Sequence, residues 1–375
     1  MLARFCHAET GLRIWKNVFA GSRDESCSGI IYSCGTWQDM RASFLEKLNE
    51  YPVVRDTPEP VPGPDEVVIR QKLTGICYRD ILTMEGFFPR VRLPIIPGHE
   101  ITGTIVSVGE RVTGFSVGDR VSSLIYVPCG ECRYCRSGNT NLCQNKQTYG
   151  ETINGSYAEY ISVNSRGLVK MPEKVDDESA ALSACVTGMI YHALVRVGRI
   201  QKGETLLVTG AGGGVGIHAV QIGKALGARV IAESSSPWKD ETILKYGAEA
   251  VVRPDNMDQL IKKEYGGSDV VIETVGIPTF ERSFKSLSPG GRIVLIGNVS
   301  PAAFPLPLGV MILKGTGIFG SISSTKEDMK EAMQLVSAGK LKAVEHEKVF
   351  LEDVPKAYRE MKSKSNLGRI FIKLA

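Results

Sequence analysis

The chain has 375 residues, a length that suits about two domains, and its 43% hydrophobic and 23% charged residues are the balance of an ordinary globular core. A net charge of +4, with no run of Lys and Arg interleaved with aromatics, gives nucleic acid no footing. No apolar run approaches the ~18 residues of a membrane span and no basic stretch leads into an apolar leader, so the cytosol is the expected compartment, and the nine cysteines read as metal ligands or core residues rather than disulfides.

The first 39 residues show no sustained helix or strand period. From Met40 the texture changes: "MRASFLEKLN" and "YPVVRDTPEPVPGPDEVVIRQ" read as short strands joined by a Pro-rich turn. Gly-punctuated short strands continue to about residue 170 with "GTIVSVG", "GDRVSSLIYV" and "YAEYISV", an all-β reading. From about residue 205 strands and helices alternate. "ETLLVTG" is a buried strand, and "VGIHAVQIGKALG" carries Val215, Ala219, Ile222 and Leu226 at helical spacing. "ARVIAE", "DVVIETVG" and "GGRIVLIGN" are further strands; "TKEDMKEAMQLVSAGKL" is a helix and "GRIFIKL" a last strand. Apolar strands alternating with helices predict a parallel sheet covered on both faces, so the fold class is α/β plus β.

The turn "VTGAGGGVG", between strand and helix, contains Gly210, Gly212, Gly213, Gly214 and Gly216, with Val215 among them. Glycines there permit a tight turn and close approach of a pyrophosphate to a helix N-terminus, which predicts dinucleotide binding. The tip of the following strand, "AESSSPWK", decides which dinucleotide. An acidic residue at the tip would hold the ribose hydroxyls of NAD. By count from Gly216 the tip is Ser234, and Glu233 points to the opposite side because strand side chains alternate. Ser234, Ser235, Ser236 and Lys239 suit a 2′-phosphate, so NADP(H) is favoured and NAD(H) is the alternative.

"PCGECRYCRSGNTNLC" sets Cys129, Cys132, Cys135 and Cys143 at the spacing of a closed, four-thiolate structural zinc site. Two cysteines then remain after Met40, Cys77 and Cys185, and "PGHE" adds His99 and Glu100. Cys77, His99 and Cys185 can make the Cys2His set of an open catalytic zinc, although a lone Cys or His is usually core. His192 and His218 read as structural.

Together "GICYRD", "PGHEITGTIVSVG", "GFSVGDRV", the four-cysteine lobe, "SACVTGMIYHAL", "GAGGGVG" and "GGRIVLIGN" resemble the medium-chain, zinc-containing alcohol dehydrogenase-like oxidoreductases from Met40 to the C-terminus. The resemblance implies a GroES-like β-rich catalytic domain, residues 40–185 and 324–375, split around a doubly wound Rossmann domain at 186–323. Residues 1–39 would be an extension outside the fold, either a misassigned upstream start or a loose segment. It implies that Cys77, His99 and Cys185 bind the catalytic zinc, that Glu100 is an alternate ligand and that Asp80 orients His99. Gly297, Asn298 and Val299 would lie near the nicotinamide. Two zinc ions per chain, a small-molecule substrate and a homodimer or homotetramer follow from it, with no nucleic acid or membrane partner.

The resemblance implies zinc-polarised hydride transfer between nicotinamide and an alcohol or carbonyl substrate, with the proton leaving through a Ser or Thr two residues after the first zinc cysteine. Arg79 stands at that position, and a guanidinium cannot relay a proton. Arg79 is either ion-paired with a neighbouring carboxylate, with protons travelling by water, or in contact with an anionic substrate or the cofactor phosphates. "CVTGMIYHAL", "GVGIHAVQIGKALGA" and the Cys-x-Arg-Asp pattern are also similar to archaeal acryloyl-CoA reductase-type members, which reduce a carbon–carbon double bond with NADPH. Alcohol or carbonyl chemistry is therefore the first expectation and enoyl reduction the alternative.

Overall fold

A computed structural model describes residues 39–300 and 302–374. The expectation for residues 1–39 lies outside the described residues except at its last position. Asp39 already belongs to the first strand, Asp39–Phe44, which pairs antiparallel with Val53–Pro58.

The β-rich part is built on five antiparallel strands in the order Leu168–Lys170, Arg120–Ser123, Thr102–Val108, Glu66–Arg70, Tyr160–Asn164. Val67, Ile69, Ile105, Val121 and Val163 are all fully buried and pack with Ile101 and Tyr149 into one cluster. The alternation seen in the sequence puts these side chains on a common inner face.

The second layer system is a six-stranded parallel sheet: β1 (Thr205–Val208), β2 (Arg229–Glu233), β3 (Ala250–Val252), β4 (Ser268–Glu273), β5 (Leu287–Leu295) and β6 (Gly317–Gly320). Its order is β3-β2-β1-β4-β5-β6, so the chain reverses direction across the sheet between β1 and β4. A ligand binds such a sheet in the crevice beyond the carboxyl ends of the strands at that reversal. All four residues of β1 are buried, as a strand covered on both faces requires.

The C-terminal strand, Arg369–Lys373, leaves the parallel sheet behind and pairs with Leu73–Gly75 and Glu345–Val349. Ile76 N–H donates to the Ile370 carbonyl at 2.9 Å, which ties the end of the chain to the segment carrying Cys77. Gly213 bridges to Gly368, so the residue leading into that C-terminal strand also braces the glycine turn.

Candidate active site

Helix α1 (Tyr78–Met84) begins at Cys77, its N-cap residue, which is extended (φ −104°, ψ 147°) and so turns its side chain away from the helix axis. Asp80, three residues on, accepts from the Cys77 N–H at 2.9 Å. The same carboxylate accepts from Tyr157 Oη at 2.8 Å and lies 3.0 Å from His99 Nδ1. A helix cap thus fixes the group that orients the imidazole. Tyr157, which no motif marks, completes that arrangement.

His99 follows Gly98, whose φ of +88° favours glycine and leaves no room for a Cβ against Tyr157. Its Nε2 faces the thiols, 3.2 Å from Cys185 Sγ. Burial disfavours the charged ring, but Asp80 outweighs it and raises the His99 pKa to about 9. A metal bound at Nε2 would displace the ring's proton.

Cys185 sits in a widened turn, Ser183–Gly188, where the Thr187 N–H reaches back five residues to the Leu182 carbonyl at 2.9 Å. Such an expanded turn re-aims one side chain without ending the helix. Cys77 and Cys185 Sγ are 3.9 Å apart, close to the ~3.8 Å that two thiolates at tetrahedral Zn–S distances require. Ligand atoms of Cys77, His99, Glu100 and Cys185 all lie within 4.8 Å of one another. Glu100 is fully buried and ion-paired with Arg369, and Gly75 is bare where any Cβ would strike that carboxylate. Arg369, at the start of the C-terminal strand, also packs under Gly214 of the glycine turn. The sequence alone did not mark it, because its partner is 269 residues away.

Cys129, Cys132, Cys135 and Cys143 form a second cluster within the same 4.8 Å limit. Cys132 and Cys135 Sγ are 3.6 Å apart, and the Cys129 and Cys132 backbone N–H groups donate to Cys143 and Cys129 Sγ. Amides aimed at sulfur favour thiolates in this lobe, and the Cys77–Cys185 spacing suits tetrahedral thiolates, so both clusters fit an ion of zinc's size and softness.

The glycine turn opens α2 (Gly216–Ala225). Gly210 adopts φ +59°, and a Cβ on Gly216 would collide with its carbonyl. Glu233 is buried and accepts from the Gly210 N–H at 2.8 Å, so its carboxylate braces the turn from within. Burial pushes its pKa up. Ser234 and Ser235 follow at the strand tip. Lys239 differs from expectation: its ammonium donates to the Asn366 carbonyl at 2.6 Å and its chain packs on Gly212. The cation at the tip is instead Arg253, which donates to the Ser234 carbonyl at 2.7 Å while paired with Asp240.

A cavity of about 590 Å³ runs from Cys77 and Cys185 to Thr274, Gly297, Asn298 and Val299 at the ends of β4 and β5. Phe87, Phe88, Tyr126 and Ile322 make its wall mostly apolar. Arg79 lines it and is ion-paired with the buried Glu151, with its guanidinium 4.8 Å from the Phe88 ring centre. Glu151 also holds Arg90 at 2.9 Å. Neither Glu151 nor Arg90 belongs to a motif. His192 contacts Asp328 at 2.8 Å and His218 the Gly214 carbonyl at 2.7 Å, both away from the thiols.

Residues 63–173 match the family model "Alcohol dehydrogenase GroES-like domain" and residues 214–338 the model "Zinc-binding dehydrogenase". The chain is 45% identical over 334 residues to an acryloyl-coenzyme A reductase of Metallosphaera sedula, covering 89% of this chain and 99% of that one. It is 36% identical over 340 residues to an alcohol dehydrogenase of Geobacillus stearothermophilus, covering 89% and 100%. Among solved structures, AibC superposes with a TM-score of 0.85 at 33% identity, covering 94% of this chain and 99% of that one.

Proposed function

Because this chain belongs to the zinc-binding dehydrogenase family of medium-chain, alcohol dehydrogenase-like oxidoreductases, we propose that it reduces a carbon–carbon double bond conjugated to a thioester carbonyl, with NADPH as hydride donor. The observation that carries this reading is the Arg79–Glu151 ion pair. Where the usual alcohol chemistry relays its proton through a hydroxyl, this chain holds a guanidinium, permanently protonated and locked to a carboxylate. Similarity to an acryloyl-coenzyme A reductase adds weight. Bound NADPH would supply the hydride for the β-carbon while the α-carbon takes a proton from solvent, so that the alkene becomes a saturated thioester and NADPH becomes NADP⁺.

Cys77, His99 and Cys185 would hold one zinc ion, and Cys129, Cys132, Cys135 and Cys143 a structural one. The first, when bound, supplies Lewis-acid polarisation of the substrate carbonyl oxygen. Asp80 keeps His99 turned toward the thiols, and Arg369 holds Glu100 back from a ligand role until that ion pair opens. The aromatic wall excludes water from the hydride path.

NADPH is favoured over NADH because Glu233 is committed to the Gly210 N–H, which leaves Ser234, Ser235 and Arg253 at the tip. Glycines 210, 212, 213, 214 and 216 with Val215 would carry the pyrophosphate, and Gly297, Asn298 and Val299 would flank the nicotinamide. The partner is a small molecule. Two copies would associate through β6, an edge strand, and α3 (Leu308–Lys314), where Ile312 is 80% and Leu313 89% exposed. Unpaired thiols reserved for metal suit a reducing compartment, the cytosol.

A second reading, alcohol or carbonyl chemistry, is favoured by the complete Cys77–His99–Cys185 set. Oxidation of NADPH and NADH is measured with acryloyl-CoA, aldehydes and ketones, and reduction of NADP⁺ and NAD⁺ with alcohols. Turnover with acryloyl-CoA above the carbonyl compounds is expected. Turnover of alcohols or aldehydes without acryloyl-CoA reduction would reverse the order of the two readings.

A further inference from the structure

The wall of the cavity carries an imbalance of charge that neither zinc nor nicotinamide explains. Arg79, Arg90 and Lys146 line it, and Glu151 is the one carboxylate among its lining residues. Glu151 is nearly buried, with its side chain 5% exposed, and grips both guanidiniums, one through each oxygen. Lys146 donates to the Asn141 carbonyl, a neutral acceptor that leaves its charge uncancelled. Two positive charges among these lining groups therefore lack a counter-charge, in a wall that is otherwise mostly apolar. Like charges held side by side in such surroundings repel strongly, which an incoming anion relieves.

The geometry also leaves donors free. Arg79 gives Glu151 one terminal nitrogen, and Arg90 gives it Nε and one terminal nitrogen, so each fork keeps N–H groups to offer. The Arg79 guanidinium also lies over the Phe88 ring, a cation–π contact that adds to its hold in the wall. Side-chain exposure rises from 24% at Arg79 to 52% at Arg90. The cations thus run from beside the zinc-ligand helix outward to solvent.

We propose that Arg79, Arg90 and Lys146, with Glu151 as the shared counter-charge of the two arginines, form a subsite for an oxyanion carried by the substrate, a phosphate or a carboxylate. The inference rests on the acyl-thioester reading above and makes Arg79 and Arg90 determinants of specificity. Bidentate guanidinium contacts are the chemistry suited to either anion.

The test uses the zinc-loaded full chain. Acryloyl-CoA is compared with acryloyl-pantetheine, which lacks the phosphates, in the wild type and in Arg79→Met and Arg90→Met. Each variant leaves Glu151 with one arginine. If phosphate is read, the wild type prefers the CoA ester in kcat/KM by about tenfold or more, and each variant reduces that ratio. Calorimetry with CoA, pantetheine and propionate gives a readout that needs no turnover. Arginine-dependent preference for CoA over pantetheine identifies phosphate as the anion. Arginine-dependent binding of propionate without that preference identifies carboxylate. Glu151→Gln, which frees both forks, should hold the probe anion at least as well as wild type. Absence of arginine-dependent binding for every probe overturns the proposal, as do variants that weaken CoA and pantetheine equally without affecting propionate. Charge-dependent binding in a protein that reduces no alkene supports the subsite and refutes the reaction.

Discussion

Asp80 Oδ1 lies 3.0 Å from His99 Nδ1, and the other oxygen of the same carboxylate accepts from the Cys77 N–H. One side chain therefore sets the aim of two metal-ligand candidates at once. Asp80→Asn should lower zinc retention or turnover by about 10- to 100-fold, the usual cost of losing such a partner. Zinc per chain measured after dialysis against a chelator, alongside kcat/KM, checks this. Wild-type protein should hold about two zinc ions and Cys77→Ala about one, with turnover abolished. Unchanged activity in Cys77→Ala would remove zinc from the chemistry.

The strand tip after β2 makes a coenzyme prediction. Ser234→Asp places a carboxylate where the 2′-phosphate of NADPH is expected and should cut the NADPH-to-NADH ratio of kcat/KM by about tenfold or more, as charge-assisted contacts of ~1.5–3 kcal/mol imply. Arg253→Ala should raise KM for NADPH while leaving that for NADH nearly unchanged. Equal effects on both coenzymes would mean that Arg253 only braces the Ser234 carbonyl.

His218 links the glycine turn to the segment before the last strands. Its Nδ1–H donates to the Gly214 carbonyl, and its Nε2 accepts from the Val344 N–H at 3.0 Å. Burial pushes its pKa down to about 4 from an ordinary 6.5, against the Gly214 carbonyl, which favours the charged ring. Between those values the unfolded chain binds the proton and the folded chain does not. Stability should therefore be unaffected by this group above about pH 7, fall as pH drops through 6.5 toward 4, and lose up to about 3 kcal/mol in all. Denaturant melts of wild type and His218→Gln between pH 7.5 and 4.5 check it (the pH range is roughly that over which the group titrates). The variant should be less stable at neutral pH but show a shallower pH slope.

The exposed α3 face makes a prediction about assembly. Leu313→Glu should shift the protein from dimer or tetramer toward monomer in light scattering, because a desolvated carboxylate at an apolar contact is costly. A wild type that is monomeric at all concentrations would remove β6 and α3 from that role.

The clearest legible features lie close together along the chain. The strand–turn–helix around Gly210 to Gly216 is set by local backbone limits, and the spacing of Cys129, Cys132, Cys135 and Cys143 lets one short lobe close on one ion. The β2 tip was half legible. Alternation put Glu233 and Ser234 on opposite sides, but the lysine expected at the tip turned to Asn366, and Arg253 from after β3 stood in its place.

By itself the sequence determined the element types, the glycine turn and the four-cysteine lobe, because each is written in periodicity or short spacing, while the Cys77–His99–Cys185 set and the anomaly at Arg79 came from the family resemblance. Tertiary structure alone decided what those residues meet. Cys77 reaches Cys185 across 108 residues, Arg79 meets Glu151 across 72, and Arg369 meets Glu100 across 269. The physical reason is that backbone geometry is local, whereas ion pairs and ligand sets depend on which strands the completed fold lays side by side.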